Sequence, residues 1–197
     1  MIKVYLFAFI FTFSLFSFGQ CEYSEMAYDN TTNKAYLKSL PITLDIYETP
    51  LNGRIVLASL IRTGNQYFIE IEITKDSSAQ DLEPICFEKG SRLNFSLKNG
   101  SIVSISQVDE KICGIKLYDE ETEYTTVSNY AKFILTQKAF DELIKSEIVL
   151  IKISATNYEK TFVLKDELIQ NIENSTIVTY PSRFFIDNIE CMTNPKF

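Results

Sequence analysis

The apolar pattern of this chain predicts an α+β domain: a mostly antiparallel β-sheet of about nine or ten strands, with two or three helices packed on it and one parallel crossover that would make the sheet mixed. Three observations carry that expectation. Period-two alternation recurs along the body of the chain, short glycine-containing turns interrupt it in registers that keep apolar residues on one face, and apolar residues at helical spacing appear only around 137–145 and after 166.

Residues 1–19, MIKVYLFAFIFTFSLFSFG, come first, with one early cation at Lys3, an apolar stretch over 4–13 and small residues at Ser17 and Gly19. That is the layout of a secretory signal peptide cleaved ahead of Gln20. The uncharged run over 4–21 is 18 residues long and is diluted by Ser14, Ser17 and Gln20, short of the ~20 apolar residues that span a bilayer. The mature chain, 20–197, is therefore expected as a single domain without stable membrane insertion. Lipidation at Cys21 is the lesser reading, because Gln20 stands where a lipobox has a small residue.

Residues 20–40 read as a partly irregular segment. Ile42–Glu48 alternates apolar and polar, the mark of a half-buried strand, and 50–53 breaks the pattern. Residues 55–62 and 67–74 then flank a Gly64-Asn65 loop, which sets partners whose numbers sum to 129. Leu60 faces Ile69, Ala58 faces Ile71 and Val56 faces Ile73, while Glu70 and Glu72 point the other way; a slip of one residue would bury both glutamates. Around Lys98-Asn99-Gly100, a three-residue loop pairs Phe95 with Val103 and Leu93 with Ile105, whereas a two-residue loop would set apolar residues against serine. Gly100 then takes the left-handed position of a bulged turn.

Residues 113–118 and 124–135 are two more strands around the charged turn 119–123. Thr136 can cap a helix over 137–145 that sets Phe140, Leu143 and Ile144 on one side. Residues 148–153, IVLIKI, are apolar on both faces, as in an interior strand covered on both sides, so strand, helix and strand suit a right-handed parallel crossover. A last hairpin joins that strand to 160–165. Beyond it, Asp166 can cap a helix carrying Leu168, Ile169 and Ile172, and Ser182 can cap one carrying Phe185, Ile186 and Ile189. The stretch 175–180 is also rich in strand formers.

The leader ending in Ser-Phe-Gly-Gln, ahead of a body rich in Lys, Asn, Ile and Tyr, resembles small secreted proteins of the Bacteroidetes that have no assigned activity. The resemblance implies a bacterial envelope location and no mechanism. In such a cell the sequons at Asn30, Asn94, Asn99 and Asn174 are accidents of composition.

Composition closes several chemistries. The formal net charge is −7, and loss of Lys3 with the leader takes it to −8, so phosphate repulsion argues against a nucleic-acid partner. Histidine and tryptophan are absent, which removes Ser or Cys nucleophiles paired with imidazole, imidazole metal ligands and indole sugar platforms. The few glycines are too far apart for a phosphate-cradling loop. Carboxylates are the catalytic device left in quantity: Asp109, Glu110, Asp119, Glu120, Glu121 and Glu123 lie on either side of one strand. Turns are where solvated charge is expected in any case, and 119–123 lacks both the alternating acidic positions and the glycine of a calcium loop. Tyr23, Tyr28, Tyr36, Tyr47, Tyr67, Tyr124, Tyr130, Tyr158 and Tyr180 could form a recognition surface, although tyrosine is also a good strand residue.

The four cysteines, Cys21, Cys86, Cys113 and Cys191, form an even set in an oxidising compartment, for which three complete pairings exist, with four reduced, partly buried thiols as the alternative; the pairing of Cys86 with Cys113 is favoured. Continuing the hairpin whose partners sum to 198 would set Cys86 opposite Ile112, and a small irregularity near Gly90 would bring it to Cys113, within the ~5.5 Å Cα separation that a bridge favours. Cys21 and Cys191 would then tie the two ends together. The functional expectation is a secreted or periplasmic, non-catalytic binding module without a cofactor, whose partner is a protein or envelope component. The alternative is a carboxylate-dependent, glycosidase-like hydrolase.

Overall fold

The computed structural model describes residues 21–29, 34–78, 81–172 and 175–195. The leader, Gln20, Asn30 and Asn174 lie outside the described residues. The strands in chain order are β1 Tyr23–Asp29, β2 Lys34–Ser39, β3 Ile42–Glu48, β4 Asn52–Thr63, β5 Gln66–Ser77, β6 Cys86–Phe87, β7 Arg92–Leu97, β8 Ile102–Gln107, β9 Ile112–Cys113, β10 Ile115–Asp119 and β11 Tyr124–Leu135. After helix α1, Gln137–Leu143, come β12 Ile148–Ala155, β13 Tyr158–Val163, β14 Leu168–Ile172 and β15 Ser175–Thr179, and α2 spans Phe184–Thr193 behind a single 3-10 turn.

Among the described residues eleven strands form one sheet along the path β1-β2-β4-β5-β11-β8-β7-β12-β13, with β3 added beside β4 and β10 beside β11. The long strands β4 and β11 each have one edge shared by two shorter strands in line, β3 and β2 on β4 and β10 and β8 on β11. The pairings of the glycine-turn hairpins follow the apolar match: Val56 faces Ile73, Ala58 faces Ile71 and Leu60 faces Ile69, and Phe95 faces Val103 across the turn where Gly100 has φ +87°.

Several expectations are corrected here. The fold is mostly antiparallel β-sheet with two short helices, not an α+β domain with a helical layer packed on a sheet. All the strand pairings among the described residues are antiparallel, and β8 and β7 lie between β11 and β12, which run in opposite directions. The parallel crossover is therefore absent among the described residues. Residues 168–172 are strand β14, paired with β15 as a separate ribbon, because Ile169, Ile177 and Val178 are exposed and no helix face is buried there. Residues 23–29 and 34–39, within the segment expected to be partly irregular, form the paired strands β1 and β2. Ser182 lies in the 3-10 turn with a buried hydroxyl that finds no partner among the described residues, and it makes no cap for α2. Val149 on β12 is 40% exposed, so that strand is covered mainly on one side.

The sheet needs no helical layer because it curls over itself. β13 ends the strand path and β4 is third from its other end, yet the Arg54 guanidinium of β4 lies 5.3 Å from the Phe162 ring of β13. Between the halves sit Ile71, Ile73, Leu93, Phe95, Phe133 and Ile153, all fully buried. At the β4–β5 turn the interior is plugged by the helices. Thr136 Oγ1 accepts the Ala139 N–H to start α1, and rings run from Tyr67 to Phe140 of α1 at 5.1 Å and on to Phe185 of α2 at 5.8 Å. Arg62 donates from Nη1 to the Met192 carbonyl at 2.7 Å, a cation at the carbonyl end of α2.

The structure joins Cys21 to Cys191 and Cys86 to Cys113, with Cα separations of 5.4 and 4.0 Å. The second bridge crosses the small β6–β9 ladder, where Cys86 faces Cys113 and Phe87 faces Ile112. Partner sums there are one higher than in β7–β8, and the turn closed by the Ser91 N–H on the Glu88 carbonyl supplies the offset.

Candidate functional site

The end of the curled sheet opposite the helices is open. The core stripe of the β4–β5 hairpin runs Leu60/Ile69, Ala58/Ile71, Val56/Ile73, and one step further along the same face stand Arg54 and Lys75, directly opposite each other. Alternation keeps both on the interior side. From across the opening β13 presents Tyr158, Lys160 and Phe162 on one face, Lys160 beside Ile153 and Phe162 beside Ile151 in the register with β12. Three cations thus project into the mouth of an apolar interior. The cleft they share has a volume of about 280 Å³ and is completed by Tyr47, Asn52, Gly53, Asp76 and Leu82.

Each wall is held by a local device. The Arg54 guanidinium donates from Nη2 and Nε to Asp45 Oδ2 at 2.8 and 3.3 Å, and lies 5.6 Å from the Tyr47 ring. Gly53 leaves room beside it for the Asp76 carboxylate, which a Cβ there would displace. The segment carrying Leu82 is pinned by Asn129, fully buried, whose Oδ1 accepts the Ile85 N–H at 2.7 Å and whose Nδ2 donates to the Ile73 carbonyl at 2.8 Å. Asn157, in the β12–β13 turn, donates to the Pro84 carbonyl at 2.8 Å and fixes β13 against that segment.

The electrostatics of the cleft are one-sided. Among the described residues no carboxylate lies within 4 Å of Lys75 or Lys160. The Lys75 ammonium instead sits 4.5 Å from the Tyr158 ring centre, and Lys160 lies 5.8 Å from that of Phe162. Burial, then the Lys160 charge and the Arg54 charge, hold the Lys75 amine below its ordinary value. Lys160 is lowered by burial and by Arg54, against a smaller opposing pull from Asp45. Burial pushes the Tyr158 phenol up to about 12, and its hydroxyl finds no partner among the described residues. The site is therefore rich in donors and positive charge within a chain of net charge −7.

The acidic residues are placed otherwise. Asp119 ends β10, and Glu120, Glu121 and Glu123 form the exposed turn that follows. The Asp119 carboxylate accepts the Glu121 N–H at 2.9 Å, and this bond, with those from Thr122, holds it below the ordinary carboxylate range. Asp109 and Glu110 occupy the turn between β8 and β9. Glu123 shares an open depression of about 490 Å³ with Asp81 and Tyr118, where Lys116 takes Asp81 in an ion pair. No group of three or more acidic or cysteine side chains among the described residues could hold a metal ion. Of the tyrosines, Tyr47 and Tyr158 reach the cleft. Tyr67 belongs to the helix-capped end, Tyr23 donates to the Cys191 carbonyl at 2.8 Å, and Tyr124 donates to the Pro50 carbonyl at 2.8 Å.

Arg54, Lys75 and Lys160 are not among the candidate site residues the sequence suggests, because the hairpin strands expected from it run over 55–62 and 67–74 and stop one pair short of Arg54 and Lys75. Extending the sum of 129 by one pair sets Arg54 against Lys75 on the core face, an anomaly visible in the sequence alone. Lys160 carried no such signal, since only the return of β13 over β4 brings it there. Compared with known protein families, with curated proteins and with solved structures, the chain finds no match. No helix among the described residues is long and apolar enough to cross a membrane.

Proposed function

We propose that this chain is a non-catalytic binding module of a secreted or periplasmic setting, and that the cleft at the open end of the sheet grips an anionic group of its partner. The two disulfides fit an oxidising compartment. One observation carries the reading: two cations stand opposite each other on the core face of a hairpin, with a third facing them, and two of the three lack a carboxylate among the described residues. Like charges directly opposite in a sheet are destabilising, so their placement at a cleft is best understood through a ligand that neutralises them.

A carboxylate-dependent hydrolase is the alternative, and it draws on Asp81 and Glu123 in the depression below β10. It is less favoured, because Asp81 is engaged by Lys116 and the depression is open to solvent. The test is a titration of the isotopically labelled protein with sodium sulfate and sodium acetate, followed by NMR. Saturable shifts should appear at Arg54, Lys75, Tyr158 and Lys160. Saturable shifts confined to the Asp81–Glu123 depression, or none at all, would sink the proposal.

A further inference from the structure

The charge count and the donor inventory of the cleft say which anion it suits, an inference that rests on reading the cleft as an anion site. Arg54 is already matched, with Nε and Nη2 both spent on Asp45 Oδ2. Lys75 and Lys160 are not matched among the described residues, which leaves two positive charges for the ligand. Asp76, the carboxylate on the lining, pairs with Gly53 and so belongs to the opposite face of β5 from Lys75. Beside Asp76 and Asn52, the charged side chains on the lining are donors: the two ammonium groups and the Arg54 guanidinium, with the Tyr158 hydroxyl buried and without a partner among the described residues. A ligand that satisfies them must bring several acceptor oxygens and negative charge. A carboxylate brings two oxygens and one charge.

We infer that the group held between Lys75 and Lys160 is a phosphate dianion, either free or as the monoester end of a larger molecule. Lysine ammonium groups bind phosphate as point charges, without the planar fork that carboxylates match. Tyr47 and Leu82, at the side of the cleft, offer an uncharged wall along which the remainder of an ester could lie.

The experiment is calorimetric titration of the disulfide-bonded protein at pH 8, where a phosphomonoester with a second pKa of about 6 is fully dianionic. Inorganic phosphate, methyl phosphate, dimethyl phosphate and acetate are compared. The two dianions should bind at least about tenfold more tightly than the two monoanions, a difference of one decade in Kd. Methyl phosphate ahead of inorganic phosphate would identify an ester as the source, and the reverse order the free ion; both orders support the proposal. Lys160→Gln and Lys75→Met should each bring dianions and monoanions to within about threefold of one another. Equal affinities for methyl phosphate and acetate in the unmodified protein would overturn the dianion and leave the anion site standing. Absence of binding by all four would overturn both. The ligand comparison needs no variant, so a variant that misfolds cannot rescue the idea.

Discussion

Two half-buried lysines on the same sheet have opposite surroundings. Lys38, on β2, places its ammonium 2.8 Å from Glu70 and 3.4 Å from Glu25, and Glu70 is also 3.9 Å from Lys132. Burial pulls the Lys38 amine down, but hydrogen bonds and charge from Glu70 and Glu25 outweigh it and hold the group above its ordinary value. Lys75 is subject to the same desolvation, and its nearest charges, Lys160 and Arg54, push in the same direction as burial. Near Lys38 the sheet supplies its own counter-charge across neighbouring strands, and the small cleft there is closed to further anions by Glu25, Glu70 and Glu72. Around Lys75 it does not, although the carboxylates exceed the cations in this chain. Desolvation is common to both sites; the partner decides whether a buried cation is settled or waiting.

The largest effect should come from making the settled site resemble the waiting one. Glu70→Ala would strip Lys38 of its closer partner where the two side chains are only 21% and 16% exposed, at a cost of about 2 kcal/mol, between the values for exposed and buried pairs. Urea denaturation should show a lower midpoint with an unchanged slope. An unchanged midpoint would mean that the two lysines are energetically alike.

The reverse operation is Lys75→Met. Removing one of two opposed cations and filling the space with an apolar chain should stabilise the protein by about 1 kcal/mol while anion binding is lost. A gain in stability with loss of binding is the signature of a residue kept for its ligand. Tyr158→Phe is subtler. It deletes a buried hydroxyl without a partner, so stability should stay within about 0.5 kcal/mol or rise slightly. Phosphate affinity should fall several-fold, as read by the same calorimetry.

The finest distinction is in titration, followed through the side-chain ¹³C signals. Lys75 should lose its proton below 10.5 and Lys38 above it. Because the folded value of Lys75 is depressed, its charged form costs stability at neutral pH, and that cost is relieved as pH rises through the folded value. The stability gap between the unmodified protein and Lys75→Met should therefore narrow over that interval. Lys38 works in the opposite sense: its stabilisation is complete below 10.5 and is lost as pH climbs through its raised folded value.

Register was legible wherever a turn and an apolar stripe agreed. The pairing of Leu60 with Ile69 and of Phe95 with Val103 follows from alternation and loop length, because a slip would bury Glu70 and Glu72 or set serine against Phe95. Around Leu168, Ile169 and Ile172 the same spacing suits a helix face or a ribbon, and Asp166 looks like a cap in either case. Exposure of Ile169 and pairing of Ile172 with Ser175 decide for the ribbon, and neither can be read from spacing. The site divides along the same line. Arg54 opposite Lys75 is local and could be counted out from the turn, whereas Lys160 and Tyr158 arrive by the curl of the whole sheet, about a hundred residues along the chain.

The Cys21–Cys191 bridge, which joins the residues just ahead of β1 to α2, also sets how the molecule answers a pulling force. Tension applied at the two ends of the chain passes through the covalent link and never reaches residues 22–190, so the sheet, its open mouth and the smaller Cys86–Cys113 loop are shielded from it. While that bridge is intact, a partner held in the cleft would be released by its own dissociation and not by the unravelling of its host.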